Sequence, residues 1–311
     1  MFDRANQYLD PSSAVDYSQN NDIQFNQSTG FINQYLRLFK GPVLDLGCGD
    51  GKVTAYIAEK IGEPITGVDI SAERVSLANQ TYANTTLNFV VDNIAALNAV
   101  NWGAAVNYGT IVSFNTLHHI PKPQQAGVFL KTKELLRSDG IALFLIPGRS
   151  KEMHDAILET YTHETWRKYF TDFDLDAVRT YEGGDYYKNL FLKSGFYHCD
   201  VDSVEESGGK ELDAQGMKKF LAGWLPHLVH LRLKKPELED ALLDDIVKLF
   251  FVKMKKDITA TVNPVIAQNK ISAYASEAAF FQRAKLSIPK KSEVQKSIVD
   301  AEKDSSRLTL T

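Results

Sequence analysis

Cysteine is scarce: the 311 residues include two, Cys48 and Cys199, far apart along the chain. That leaves no disulfide framework and no thiols at metal-ligand spacing, so a reducing compartment is expected. No apolar run approaches the roughly 20 residues that a membrane-spanning helix needs. The opening stretch, MFDRANQYLD, has neither a basic start nor an apolar centre, so it does not read as a secretory signal. A cytoplasmic location is the expectation. Charge of one sign is also missing, since 35 Lys and Arg stand against 39 Asp and Glu, a net of −4. The basic pairs Lys218–Lys219, Lys234–Lys235 and Lys255–Lys256 read as solvated faces, and nucleic acid is not an expected partner. Internal repeats and low-complexity segments are absent too. What remains is a chain 44% hydrophobic and 24% charged, able to bury a large core.

That core has a rhythm. Short apolar runs, PVLDL, PITGVDI, LNFVV, TIVSF and IALFLI, have the length and composition of buried strands. Between them lie helical patterns: GKVTAYIAEKIG, then AERVSLANQTY with Ser71 as its N-cap, then a segment from Gln124 to Leu136. Such alternation predicts a doubly wound α/β sheet over residues 41–150. A further helix is expected over 151–170, a strand in FYHCDVDSVEE, and helices within 212–256. A late strand is expected in KISAYASEAAFFQRAK. The stretch after Pro289 is charged and rich in small residues and reads as a fraying tail.

The first strand ends in D45-L-G-C-G-D-G51, with Gly47, Gly49 and Gly51 at alternate positions. Glycine accepts positive φ and lets a ligand press against bare backbone. The helix that follows offers free N–H groups at the carboxyl edge of the sheet, where doubly wound folds bind ligands. The second strand ends at Asp69, 18 residues after Gly51, suited to accept from a ribose. The third ends in V91-D-N93, so Asp92 can accept from an adenine amino group. A nicotinamide dinucleotide site also places an acid near Asp69. Its G-x-G-x-x-G fingerprint is not met, because the third glycine comes one residue early and Lys52 stands at the sixth place. A P-loop is absent as well.

In this order, D45–G51, Asp69, Asp92 and S113-F-N-T-L-H-H-I120 resemble the class I S-adenosylmethionine-dependent methyltransferases over residues 41–146. The resemblance implies a Rossmann-like, seven-stranded sheet and S-adenosyl-L-methionine as cofactor. It places Gly47 and Gly49 against the methionine part, Asp69 on the ribose, Asp92 on the adenine, and Ile70 and Ile94 on either side of the ring. Asp45 supports the turn or the cofactor's amino group, Cys48 packs in the loop, and Asn93 and Asn115 complete the set. A looser likeness joins A14-V-D-Y-S-Q-N-N-D-I-Q24 and F220-L-A-G-W-L-P-H227 to the trans-aconitate and juvenile-hormone-acid methyltransferases. It implies that Tyr17 and Gln24 reach the cofactor from an N-terminal arm and that a helical lid covers the acceptor.

The expected layout is therefore an arm over 1–40, a core over 41–206, a lid over 207–270, a final strand over 271–288 and a tail over 289–311. The expected reaction is methyl transfer to a small-molecule acceptor, at a carboxylate or hydroxyl oxygen. A hydroxyl acceptor benefits from a base, and His118 or His119 after the fourth strand could supply one or simply cap the loop. Arg149 could hold an anionic substrate or sit in a surface ion pair. Trp224 and His227 could close over the acceptor, although Trp224 could equally anchor a core. No metal ligand set is expected. The sequence leaves two rivals, a protein methyltransferase and a non-catalytic interaction protein that keeps the fold.

Overall fold

The computed structural model describes residues 18–96, 107–173, 179–207, 211–262, 264–277 and 279. A seven-stranded sheet forms the centre. Its strands are β1 (Val43–Leu46), β2 (Ile65–Asp69), β3 (Leu87–Val91), β4 (Tyr108–Phe114), β5 (Leu136–Pro147), β6 (His198–Ser207) and β7 (Val265–Tyr274). They lie in the order β3-β2-β1-β4-β5-β7-β6, the first five parallel and β7 antiparallel to both of its neighbours. The order reverses beside β1, and this switch point opens a crevice at the carboxyl ends of the strands.

The helices follow from the pattern. Among the described residues, α1 (Asp22–Tyr35), α2 (Lys52–Ile61), α3 (Ala72–Tyr82), α4 (Lys122–Leu135), α5 (Lys151–Thr162) and α6 (Gly184–Lys193) connect or flank the strands. Ser71 caps α3 as expected, its hydroxyl oxygen accepting from the Arg74 amide at 3.3 Å. Helix α2 ends where Gly62 enters the left-handed region at φ 67°. Two buried clusters line the two faces of the sheet. One contains Leu44, Ile111, Phe129, Phe144 and Phe191, the other Val43, Ile57, Phe89 and Leu143.

Three more helices lie between β6 and β7: α7 (Ala214–Ala222), α8 (Pro226–Arg232) and α9 (Glu239–Lys253). They have a core of their own. The apolar stripe of α9, Leu242, Leu243, Ile246 and Phe250, packs with Met153 and Ile157 of α5 and with Trp166, Phe170, Phe220 and Leu228. The Trp166 indole donates to Asp245 at 2.9 Å, tying the irregular chain after α5 to α9. This cap is rooted at both ends, for β6 pairs with β7 along its length and Leu212 bridges to Val262.

Two boundaries move. The last strand begins at Val265 instead of 271 and ends at Tyr274, because Val265–Lys270 extend the pairing with β6 that the cap interrupts. The helix read over 151–170 stops at Thr162, after which only a short turn at Arg167–Tyr169 is helical. The tail over 289–311 and Tyr17 lie outside the described residues.

Candidate active site

The glycine loop is held in a shape that only glycine accepts. Gly47, Gly49 and Gly51 have φ of 82°, 56° and 80°. A Cβ at Gly47 would lie 2.2 Å from a methyl of Thr116, and one at Gly51 would lie 2.8 Å from the Phe89 ring. The loop is therefore pressed flat against the strand ends. Asp69 locks it there: one carboxylate oxygen accepts from the Gly49 amide at 2.9 Å and the other from the Ser71 amide at 3.0 Å. Each oxygen keeps a further lone pair, and Asp69 borders the crevice.

Three adjoining cavities open from this crevice. The largest, about 310 Å³, is bordered by Gly47, Gly49, Asp69, Ile70, Asn93 and Ile94, and on the cap side by Trp224 and Leu225. A recess of about 20 Å³ lies against Asn21, Gln24, Asp45, Cys48 and Asp50. A third cavity, about 80 Å³, lies between α1, the ends of β4 and β5, and the cap, bordered by Gln24, His118, His154, Arg179 and Trp224. Asn115 borders all three. It is also a non-glycine residue at positive φ, 55°, with its amide donating to Ser28 at 3.3 Å. Backbone strain of this kind is held where the surroundings over-determine it, as they do at sites of chemistry.

The recess has an unusual acid. Asp45 is 2% exposed, and burial pushes its carboxyl up to about 7 despite a 2.7 Å hydrogen bond from the Thr54 hydroxyl. A cation in the recess would meet an acid poised to ionise. Beside it, burial pushes the Cys48 thiol well above its ordinary value, so it is a packed side chain and not a nucleophile.

The donor set fits an adenosyl group with a charged amino-acid tail. Ile70 and Ile94 offer apolar surface for a flat ring, Asp69 offers two lone pairs for a diol, and Asp45 faces the recess where an ammonium would go. Asp92 departs from expectation. It does not border the large cavity, and its carboxylate turns back to accept from the Asn93 amide at 2.7 Å. The chain turns into the short helix Ile94–Ala96 at once, so Asn93 and Ile94 present to the cavity in its place.

The acceptor-side residues rearrange more. Arg149 is exposed and borders none of the three cavities. His227 borders none either. It is fully buried with neither ring nitrogen hydrogen-bonded, packed against Tyr161 at 4.6 Å and Phe173 at 4.5 Å between ring centres. Being shut in apolar surroundings holds it well below the ordinary histidine value. Trp224 does face the site, bordering the large and the third cavity. His119 does the same. His118 is a poor base, because Arg179 donates to its Nε2 at 2.6 Å and occupies that lone pair.

Arg179 is the residue that sequence reasoning missed. It is 5% exposed, donates to the Trp224 carbonyl, lies 5.1 Å over the Trp224 ring and has no carboxylate partner among the described residues. No periodic pattern in the sequence surrounds it, and the residues directly before it, 174–178, lie outside those described. His154 was missed as well. It shares the buried face of α5 with Met153 and Ile157, so a polar residue within an apolar stripe was its one signal.

Comparisons with known proteins agree with the geometry. A family model described as a methyltransferase domain matches residues 43–140, the span of β1 to the start of β5. Protein 235L of Invertebrate iridescent virus 6, named as a methyltransferase, is 26% identical over 235 residues, covering 73% of this chain and 81% of that protein. The juvenile hormone acid O-methyltransferase of Bombyx mori is 28% identical over 251 residues, covering 75% and 84%. Among solved structures, a Haemonchus contortus phosphoethanolamine N-methyltransferase in complex with S-adenosyl-L-methionine shares the fold. Its TM-score is 0.55 at 14% identity, over 89% of this chain and 61% of that one.

Proposed function

We propose that this chain, a class I S-adenosylmethionine-dependent methyltransferase, methylates a carboxylate oxygen of a small organic acid. The observation that carries the reading is Arg179: a buried guanidinium, without a carboxylate partner among the described residues, bordering both the cofactor-sized cavity and the smaller one beside it. A buried cation without a counter-charge is costly unless a ligand supplies one. The name of the Bombyx mori relative, an acid O-methyltransferase, points the same way.

When bound, S-adenosylmethionine supplies a methyl group on a positively charged sulfur, open to in-line displacement. Asp69 would accept from the ribose hydroxyls, Ile70 and Ile94 would flank the adenine, and Asp45 would meet the amino group. Asn115, at the meeting point of all three cavities, would mark where donor and acceptor come together. Arg179 would hold the acid by its guanidinium fork. A carboxylate oxygen uses a lone pair it already has, so no base is required, and His118 serves by orienting Arg179. The cap helices keep water away from a step in which opposite charges are cancelled.

The experiment is to incubate the protein with methyl-labelled cofactor and a panel of small carboxylic acids, then treat the products with mild base. A methyl ester releases its label under those conditions. A base-stable product from the same acids would mean that another atom is methylated, and no product from any acid would overturn the carboxylate reading.

A further inference from the structure

The third cavity holds buried polar atoms that have no partner among the described residues. On the donor side are Nε of Arg179 and Nε1 of Trp224. On the acceptor side are Oε1 of Gln24, on α1, and Nε2 of His154, a residue 6% exposed on α5. Leaving such atoms unpaired costs free energy that a ligand with matching groups would recover.

The role of His154 follows from its other nitrogen. Nδ1 lies 2.7 Å from the Ser150 carbonyl oxygen, which can only accept, so Nδ1 carries the proton. Nε2 is then a bare lone pair. Burial holds the ring down to about 4, against an ordinary 6.5, so it stays neutral and Nε2 stays an acceptor at neutral pH. The ring is fixed further by an edge-to-face contact with Tyr181, centres 4.7 Å apart. A carboxylate answers the two donors and offers nothing to His154. Among the described residues the wall contains no Asp or Glu to balance a cationic amine, and Arg179 would repel one, so the matching group is a neutral donor.

We propose that the acceptor is a hydroxy acid, whose carboxylate pairs with Arg179 while its hydroxyl donates to Nε2 of His154, making His154 a specificity-determining residue. This rests on the carboxylate reading above and adds a second functional group to it. The apolar part of the cavity wall, which includes Ile23, Met153, Phe220 and Ile266, suits a short apolar body between the two polar ends.

The test is calorimetric binding to the protein loaded with S-adenosylhomocysteine. The probes are butanoate, hexanoate and benzoate, each compared with its monohydroxylated forms. We expect at least one hydroxy acid to bind roughly tenfold or more tighter than its unsubstituted twin. In His154→Phe, which keeps a ring against Tyr181 but removes the lone pair, that preference should vanish. Acids that bind with no hydroxyl preference in the unmodified protein would overturn the proposal and leave the carboxylate reading standing. A preference that survives in His154→Phe would overturn the assignment to His154. If no acid of either kind binds, both readings fall together. The comparison within the unmodified protein needs no variant, so a misfolded His154→Phe would not rescue the idea.

Discussion

Replacing Arg179 by methionine should separate stability from function. In the free protein the guanidinium makes two charge-assisted hydrogen bonds, to His118 and to the Trp224 carbonyl. Each contributes about 1.5–3 kcal/mol. Its position 5.1 Å over the Trp224 ring adds about 0.5–2 kcal/mol. Against these stands the desolvation of a buried cation with no counter-charge among the described residues, which costs several kcal/mol. The sum is close to zero, and methionine of similar length fills the space. Thermal and denaturant unfolding of Arg179→Met should therefore lie within about 2 kcal/mol of the unmodified protein, on either side. Acceptor binding should not be spared. Removing one partner of a buried charge pair costs about 2–5 kcal/mol, a loss of roughly thirtyfold or more in affinity for a carboxylic acid. Binding of S-adenosylhomocysteine should change far less. Arg179→Lys, which keeps the charge and loses the fork, should fall between. A variant that unfolds easily yet binds acids normally would show that Arg179 is a structural strut, and the reasoning from its missing counter-charge would fail.

Two other outcomes follow from the cofactor side. Asp69→Ala should weaken cofactor binding by about 1.5–3 kcal/mol, measured by titration calorimetry, since it removes the ribose acceptor and frees the Gly49 and Ser71 amides. Unchanged affinity would place the ribose elsewhere. Asp45 gives a pH signature: burial raises its carboxyl from 3.8 to about 7, so between those values the folded protein keeps a proton that the unfolded chain has released. Its contribution to stability therefore falls as pH rises through that window. His154, lowered from 6.5 to about 4, contributes stability that is lost as pH falls between those values, so the two oppose one another in mild acid. Denaturant curves should show a decline approaching neutral pH that Asp45→Asn abolishes. Cofactor binding near neutral pH should release a fraction of a proton, seen by comparing buffers of different ionisation heat, and Asp45→Asn should abolish that release too.

The cofactor side was legible because its chemistry is written at strand ends. D45-L-G-C-G-D-G51 combines a buried apolar run with residues needed for positive φ, and Asp69 closes the next strand by the same logic, so local pattern and site coincide. The acceptor side was not, because its walls come from segments far apart in sequence. Arg149 leaves β5 toward the expected edge but stays exposed, while Arg179, which does border the cavity, lies in a stretch of sequence with no period to read. His227 looked like a pocket residue because it follows Trp224 by three positions. The structure instead puts Trp224 in the turn between α7 and α8 and His227 in the first turn of α8, where its ring lies inside the aromatic packing of the cap. The start of β7 was misread because Val265–Ala267 pair with β6 alone and the Gln268-Asn269-Lys270 that follow are polar, so it lacks the continuous apolar run of a fully buried strand.

The cap's separate core has a consequence for how such an enzyme can diverge. Phe220, Leu228, Leu242 and Ile246 pack among themselves and against α5, while the two clusters that hold the sheet are made of other residues. Substitutions accumulating in the cap can thus reshape the wall that Trp224 and Phe220 present to the acceptor without disturbing the glycine loop or Asp69. Because both ends of the insertion are rooted in the β6–β7 hairpin, a lengthened or repacked cap still returns to the same place over the crevice. Change in the cap and change at the glycine loop can then proceed on nearly disjoint sets of residues, with Arg179 and Asn115 among the few that border both the large and the third cavity.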